Sequence, residues 1–202
     1  MAYKNGIIHL LYQFDLKDPV LDFALKEQEV LPLYFPICYD DGEIAYRLEK
    51  NGGINILKTP DGGCSDTFPY ENYPKEFPKI NVRLQTLSYR EYKTLSFAIS
   101  ETDMFTDLDP LSPEDKSLLA SLEYPFALLG DIKNLPFDVP PVNCPNINCH
   151  YHDLTGSMDL IAFVPSNPVP GISLWGDYGD YVYIYYYMCS ECKTIFAGNI
   201  CD

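Results

Sequence analysis

"YVYIYYYMCSECKTIFAGNICD", residues 181–202, carries the reading on which the fold turns. Tyr181, Tyr183, Tyr185 and Tyr187 alternate with Val182, Ile184, Tyr186 and Met188. Successive side chains of a strand point to opposite faces. Both faces of this strand are therefore apolar or amphipathic, as expected of a central strand covered on both sides. The run ends in "CSEC", and "KTIFAGNI" (193–200) resumes strand character. The C-x2-C pair, Cys189 and Cys192, thus falls in the turn between two strands.

A second pair lies forty residues upstream, where "CPNINC" places Cys144 and Cys149 in a C-x4-C spacing. Cysteines two to four residues apart can aim both sulfurs at one ion, because a tight knuckle turns the backbone around it. Two knuckles fill a tetrahedral shell of four thiolates, Cys144, Cys149, Cys189 and Cys192. Zinc held this way keeps no open position for water or substrate, so its role is structural. "CHYH" sets His150 and His152 beside the first knuckle, and either is an alternative ligand in place of Cys149. A redox C-x2-C belongs near a βαβ unit at a helix start, which this context does not offer. Seven cysteines, an odd count, without a signal peptide argue against a disulfide framework. Cys38 reads as a small core residue, Cys64 as a loop thiol and Cys201 as a poor ligand one residue from the end.

Upstream, "GIIHLLYQFDL" reads as a first strand and "DPVLDFALKEQEV" (18–30) as a short helix. "LPLYFPICYDDGEIAYRLEK" (31–50) reads as two strands paired through an Asp-Gly hairpin turn. One short strand is expected in the Gly/Pro-rich stretch 51–79, and one or two in 79–100, where apolar residues alternate. Ser112, Pro113, Glu114 and Asp115 form a helix start, with Leu118, Leu119 and Leu122 as its apolar face. "SMDLIAFVP" (157–165) is the other strong strand, and Trp175, the single tryptophan, is expected to be buried. The sum is a β-rich α+β chain of two β lobes or sheets, few short helices and a zinc-ribbon-like C-terminal segment. It reads as one domain over 1–202, divisible into lobes 1–110 and 111–202, with the knuckle segment at 140–200.

The formal net charge of −15 and a sequence pI near 4.4 disfavour bare nucleic acid, whose phosphates require a Lys/Arg stripe. An acidic surface attracts basic proteins. No run approaches the ~18 apolar residues of a membrane helix. The start "MAYKNGIIHLLYQFD" carries no signal-peptide pattern, so the expected compartment is the cytoplasm. No phosphate-binding loop, dinucleotide fingerprint, G-x-S-x-G or H-E-x-x-H occurs. His9 reads as a core histidine, and Asp40/Asp41 and Asp177/Asp180 as turn residues. The expected function is non-catalytic protein binding to a basic partner, of adaptor or immunity type. The alternative is a hydrolase using carboxylates of the 51–79 loop, Asp61 and Asp66 first among them.

Together, "LLYQFDL", the "LLG" before a loop, "CPNINC", "MDLIAFVP" and "WGDYGDYVYIYYYMCSEC" resemble the YwqG-like family of bacterial proteins. The layout over roughly 128–196 is also similar to the C-terminal domain of the programmed-cell-death-two family. The resemblance implies a β-rich fold with zinc and, through the second family, a chaperone-like adaptor for a basic ribosomal protein. The first knuckle here has four intervening residues where both families have two, which leaves the choice among Cys149, His150 and His152 open.

Overall fold

The computed structural model describes residues 8–21, 25, 28–38, 42–50, 52–60, 68, 69, 73, 77, 79–100, 111–121, 127–130, 132, 139–167, 171–175 and 182–201. In chain order the elements are β1 (His9–Asp15), β2 (Val30–Phe35), β3 (Ile44–Leu48), β4 (Ile54–Lys58), α1 (Tyr89–Ser100), α2 (Pro113–Ser121), β5 (Leu128–Leu129), β6 (Asp159–Pro165), β7 (Val182–Met188) and β8 (Thr194–Cys201). β1 and β2 pair with each other, and the other strands form a six-stranded antiparallel sheet of order β4-β3-β8-β7-β6-β5. The large sheet therefore draws strands from both halves of the chain.

β7 is central and buried along its whole length, as its two-faced pattern requires. Val182, Ile184, Tyr186 and Met188 face one core, shared with Phe14, Leu31, Leu33 and Phe35 of the small sheet. Tyr183, Tyr185 and Tyr187 face the other, with Leu95 of α1, Leu119 of α2 and the clustered cysteines. The molecule is thus layered: small sheet, large sheet, then helices and knuckles. A bulge between Leu160 and Ala162 turns both Ile161 and Ala162 toward the small sheet.

Tyr46 on β3 joins the two sheets. Its buried hydroxyl donates to the Pro32 carbonyl (2.8 Å) and accepts from the Tyr34 N–H (3.1 Å). Those two groups share one edge of β2, so the phenol occupies an edge that strand pairing leaves open. Pro32, which has no N–H to give, suits that edge.

Three expectations change. β2 and β3 do not pair as a hairpin; they belong to different sheets. The Gly42 N–H, just before β3, donates to Asn199 Oδ1 on β8 (3.0 Å). Residues 79–100 are not strands: 79–88 join no ladder, and 89–100 are α1. The cause is a capping box in "SYRE". Ser88 N–H donates to Glu91 Oε2 (2.7 Å), Glu91 N–H to Ser88 Oγ (3.3 Å), and Tyr92 N–H to Ser88 O (2.9 Å). The helix expected at 18–30 is absent among the described residues there, where the Leu21 N–H donates to the Asp18 carbonyl (3.0 Å) and the Gln28 N–H to the Leu25 carbonyl (2.9 Å); 22–24, 26 and 27 lie outside the described residues. α2 starts where expected, with Asp115 N–H on Ser112 Oγ (3.1 Å) and Leu119 buried; Leu122 lies outside the described residues. Arg90 of α1 grips Asp115 of α2 through two N–H donors at 2.9 and 2.7 Å. Among the described residues, no helix is long and apolar enough to cross a membrane.

Candidate metal centre

Each knuckle is built by its own backbone bonds. In the first, the Asn148 N–H donates to the Asn146 side chain (3.1 Å) and the Cys149 N–H to the Asn146 carbonyl (2.8 Å). The His152 N–H returns to the Cys149 carbonyl (3.0 Å). Ser157 locks the base of the loop, accepting from the Cys144 N–H (3.2 Å) and donating to the Tyr151 carbonyl (2.8 Å). The second knuckle is the β7–β8 turn. The Cys189 N–H donates to Thr194 O (2.9 Å) and the Lys193 N–H to Cys189 O (3.0 Å). Lys193 closes this turn at φ 58, a left-handed conformation that L side chains rarely adopt. Its carbonyl accepts from Leu48 N–H of β3 (3.3 Å), which anchors the turn to the sheet.

These turns bring four thiols together. Cys144 Sγ lies 3.5 Å from Cys192 Sγ, and Cys149 Sγ 3.7 Å from Cys189 Sγ. All four sulfurs fall within 4.8 Å of one another. Sulfurs about 2.3 Å from a central zinc stand about 3.8 Å apart at tetrahedral corners. The thiols are free, three are buried and Cys192 is half-buried. Both of these approaches join one knuckle to the other, as ligands gathered around one point do. The group could coordinate a metal ion.

The electrostatics fit that capacity. Burial pushes the Cys144 thiol well above the ordinary range and raises the Cys189 thiol. Uncharged thiols crowded in a core gain little, whereas a cation among them favours four thiolates. Cys192 behaves differently. Burial acts upward on it too, but bonds from the Thr194 hydroxyl (3.0 Å) and backbone, and from the Asn146 side chain, bring it down to about 7. The Tyr151 N–H donates to Cys149 Sγ (3.4 Å), a further support for negative sulfur.

The group contains neither imidazole. His150 is exposed, its ring tilted against Tyr151, and His152 Nδ1 meets the Cys144 carbonyl at 2.7 Å. His152 therefore holds the first knuckle's backbone. Thr194, Asn146, Tyr151 and Ser157, which support the sulfurs, escape a reading by ligand type alone. Asn146 had a signal, since an Asn directly after Cys-Pro favours a side-chain-closed turn.

Other candidates separate from the cluster. Cys38 is wholly buried in the core. Trp175 is buried, packed edge-on against Phe35 at 6.0 Å in the opposite layer from the cysteines. His9 is partly buried, 3.0 Å from the Tyr73 hydroxyl, and burial lowers its pKa to about 4, so it is neutral. Asp40, Asp41, Asp61, Cys64, Asp66, Asp177 and Asp180 lie outside the described residues, as does the side chain of Cys201. Comparison with known proteins finds no matching family model, curated protein or solved structure. The site is therefore read from its own chemistry.

Proposed function

We propose that this chain is a non-catalytic protein-binding domain whose two knuckles are pinned by one structural zinc ion. The observation that carries the reading is the set of four sulfurs within 4.8 Å, three of them buried. Soft thiolates in a tetrahedral set favour zinc among common cellular divalent ions. Four protein sulfurs leave no coordination position for a substrate, which supports a structural role. The YwqG-like resemblance points the same way. Free clustered thiols suit a reducing compartment such as the cytoplasm. The net charge of −15 favours a basic protein as partner.

Metal analysis tests the zinc. Protein purified without added metal should carry about one zinc per chain. Cys189→Ser should lose it together with much of the folded signal, since binding and folding free energies are coupled. A metal-free protein with native circular dichroism overturns the reading. Affinity capture from the native host at low salt should return a basic protein whose retention falls as salt is added. Capture of neutral or acidic proteins alone overturns the partner assignment.

A further inference from the structure

Three of the four clustered sulfurs are sealed and one is not. Cys144, Cys149 and Cys189 are buried in the core beneath the knuckles, whereas Cys192 is half-buried at the mouth of the β7–β8 turn. Cys144 Sγ of the other knuckle lies 3.5 Å from its sulfur. The Thr194 hydroxyl stands 3.0 Å from the Cys192 sulfur, placed to hold it when it is negative.

We propose that Cys192 is an oxidative modification site: peroxide enters the cluster there, and Cys144 closes the product to a disulfide between knuckles. The inference rests on the zinc reading above, because the loss of two sulfurs is what would open the staple. Peroxide oxidises the sulfurs it can reach, and Cys192 is the half-buried member of a cluster whose other three cysteines are buried.

The chemistry balances with hydrogen peroxide as the oxidant. The Cys192 sulfur attacks one peroxide oxygen; the O–O bond breaks, the sulfur becomes a sulfenic acid, and hydroxide leaves to take up a proton. The Cys144 sulfur then attacks the Cys192 sulfur; the S–O bond breaks and a second hydroxide leaves to take up a proton. Two thiolates are oxidised by two electrons and one peroxide is reduced to two waters.

Geometry selects the partner. Cys189 shares a turn with Cys192, but that turn is held by the Cys189–Thr194 and Lys193–Cys189 backbone bonds, which closure within it would disturb. Cys144 approaches from the other knuckle, so a bridge to it leaves the bonds within the β7–β8 turn in place. A Cys144–Cys192 bridge would also keep the two knuckles tied once the ion is lost. Oxidation would exchange one staple for another, and thiol reductants would reverse it.

The test uses the natural chain, because Cys192→Ser removes a ligand and can unfold the protein. As-purified protein is titrated with hydrogen peroxide. A metal-sensitive dye follows zinc release, a sulfenic-acid trap with peptide mass mapping locates the first oxidised cysteine, and disulfides are mapped. Expected are first trapping at Cys192, a Cys144–Cys192 disulfide, two thiols lost per zinc released, and zinc uptake restored by dithiothreitol. First trapping at Cys144, Cys149 or Cys189, or a predominant Cys189–Cys192 disulfide, overturns the proposal. So does zinc retained while Cys192 is oxidised. Protein that carries no zinc at the start overturns the zinc reading instead, and trapping and mapping in that same sample still decide where oxidation enters.

Discussion

Tyr46 and Tyr186 are both fully buried between the two sheets, yet their hydroxyls differ in what they meet. Burial raises both phenols far above their ordinary pKa, so each stays protonated. The Tyr46 hydroxyl serves the Pro32 carbonyl and the Tyr34 N–H together. The Tyr186 hydroxyl has no hydrogen-bond partner among the described residues. A buried group left unpaired costs its desolvation, while a paired one returns part of it. Tyr46→Phe should therefore cost about 1–3 kcal/mol, because it strands two backbone groups on the edge of β2. Tyr186→Phe removes only the unpaired oxygen and should be neutral or stabilising by up to about 1 kcal/mol. Urea melts of the two variants decide the matter. Equal losses in both would mean that the Tyr186 oxygen is satisfied.

At the scale of elements, glycine in a strand interior normally weakens the strand. Gly198 sits inside β8 directly opposite Tyr185 of β7. A Cβ there would stand 2.6 Å from Tyr185 Cζ. The ring lies across the glycine, and the two strands close because nothing projects between them. Gly198→Ala should cost about 1–3 kcal/mol, as overpacking does, and should broaden the Tyr185 ring signals in NMR spectra. An unchanged denaturant midpoint would show that the ring swings aside freely. The same strand pair explains what the sequence made readable. β6, β7 and β8 announce themselves as near-continuous apolar runs, because both faces are buried over most of their length, and α2 by a capped start at Ser112. The four cysteines were legible from spacing, since a knuckle is a local turn. Less local facts were hidden. Phe35-Pro36 and the Asp-Gly at residues 41–42 look like a hairpin, but the Gly42 N–H bonds to Asn199, 157 residues away. In 79–100 the alternation of apolar residues masked the Ser88–Glu91 box, whose two short bonds start a helix. That His152 turns to a backbone carbonyl, away from the cluster, depends on where Cys144 places its own C=O.

Across the whole molecule, the large sheet serves two cores at once, and the knuckles sit at the end of its two central strands. Cys189 follows β7 directly and Cys192 precedes β8, so anything that loosens the turn loosens both strands. Those strands carry Ile184, Tyr186 and Ile195 into the layer with Trp175, on the far side from the cysteines. Trp175 is the single tryptophan and lies in the opposite layer from the cysteines, so its emission reports whether removal of the proposed zinc is felt across the sheet. Chelation should remove several kcal/mol of stability, since a bound ion contributes its binding free energy to the folded state. In a chain of about this length each kcal/mol shifts Tm by about 2–4 °C, so the expected fall is roughly 10 °C or more. Because β7 and β8 belong to both cores, the fall should be the same by Trp175 fluorescence as by far-ultraviolet circular dichroism, as cooperative unfolding requires. If chelation lowers the circular-dichroism midpoint and leaves the Trp175 transition where it was, the two cores unfold independently and the shared-strand argument fails.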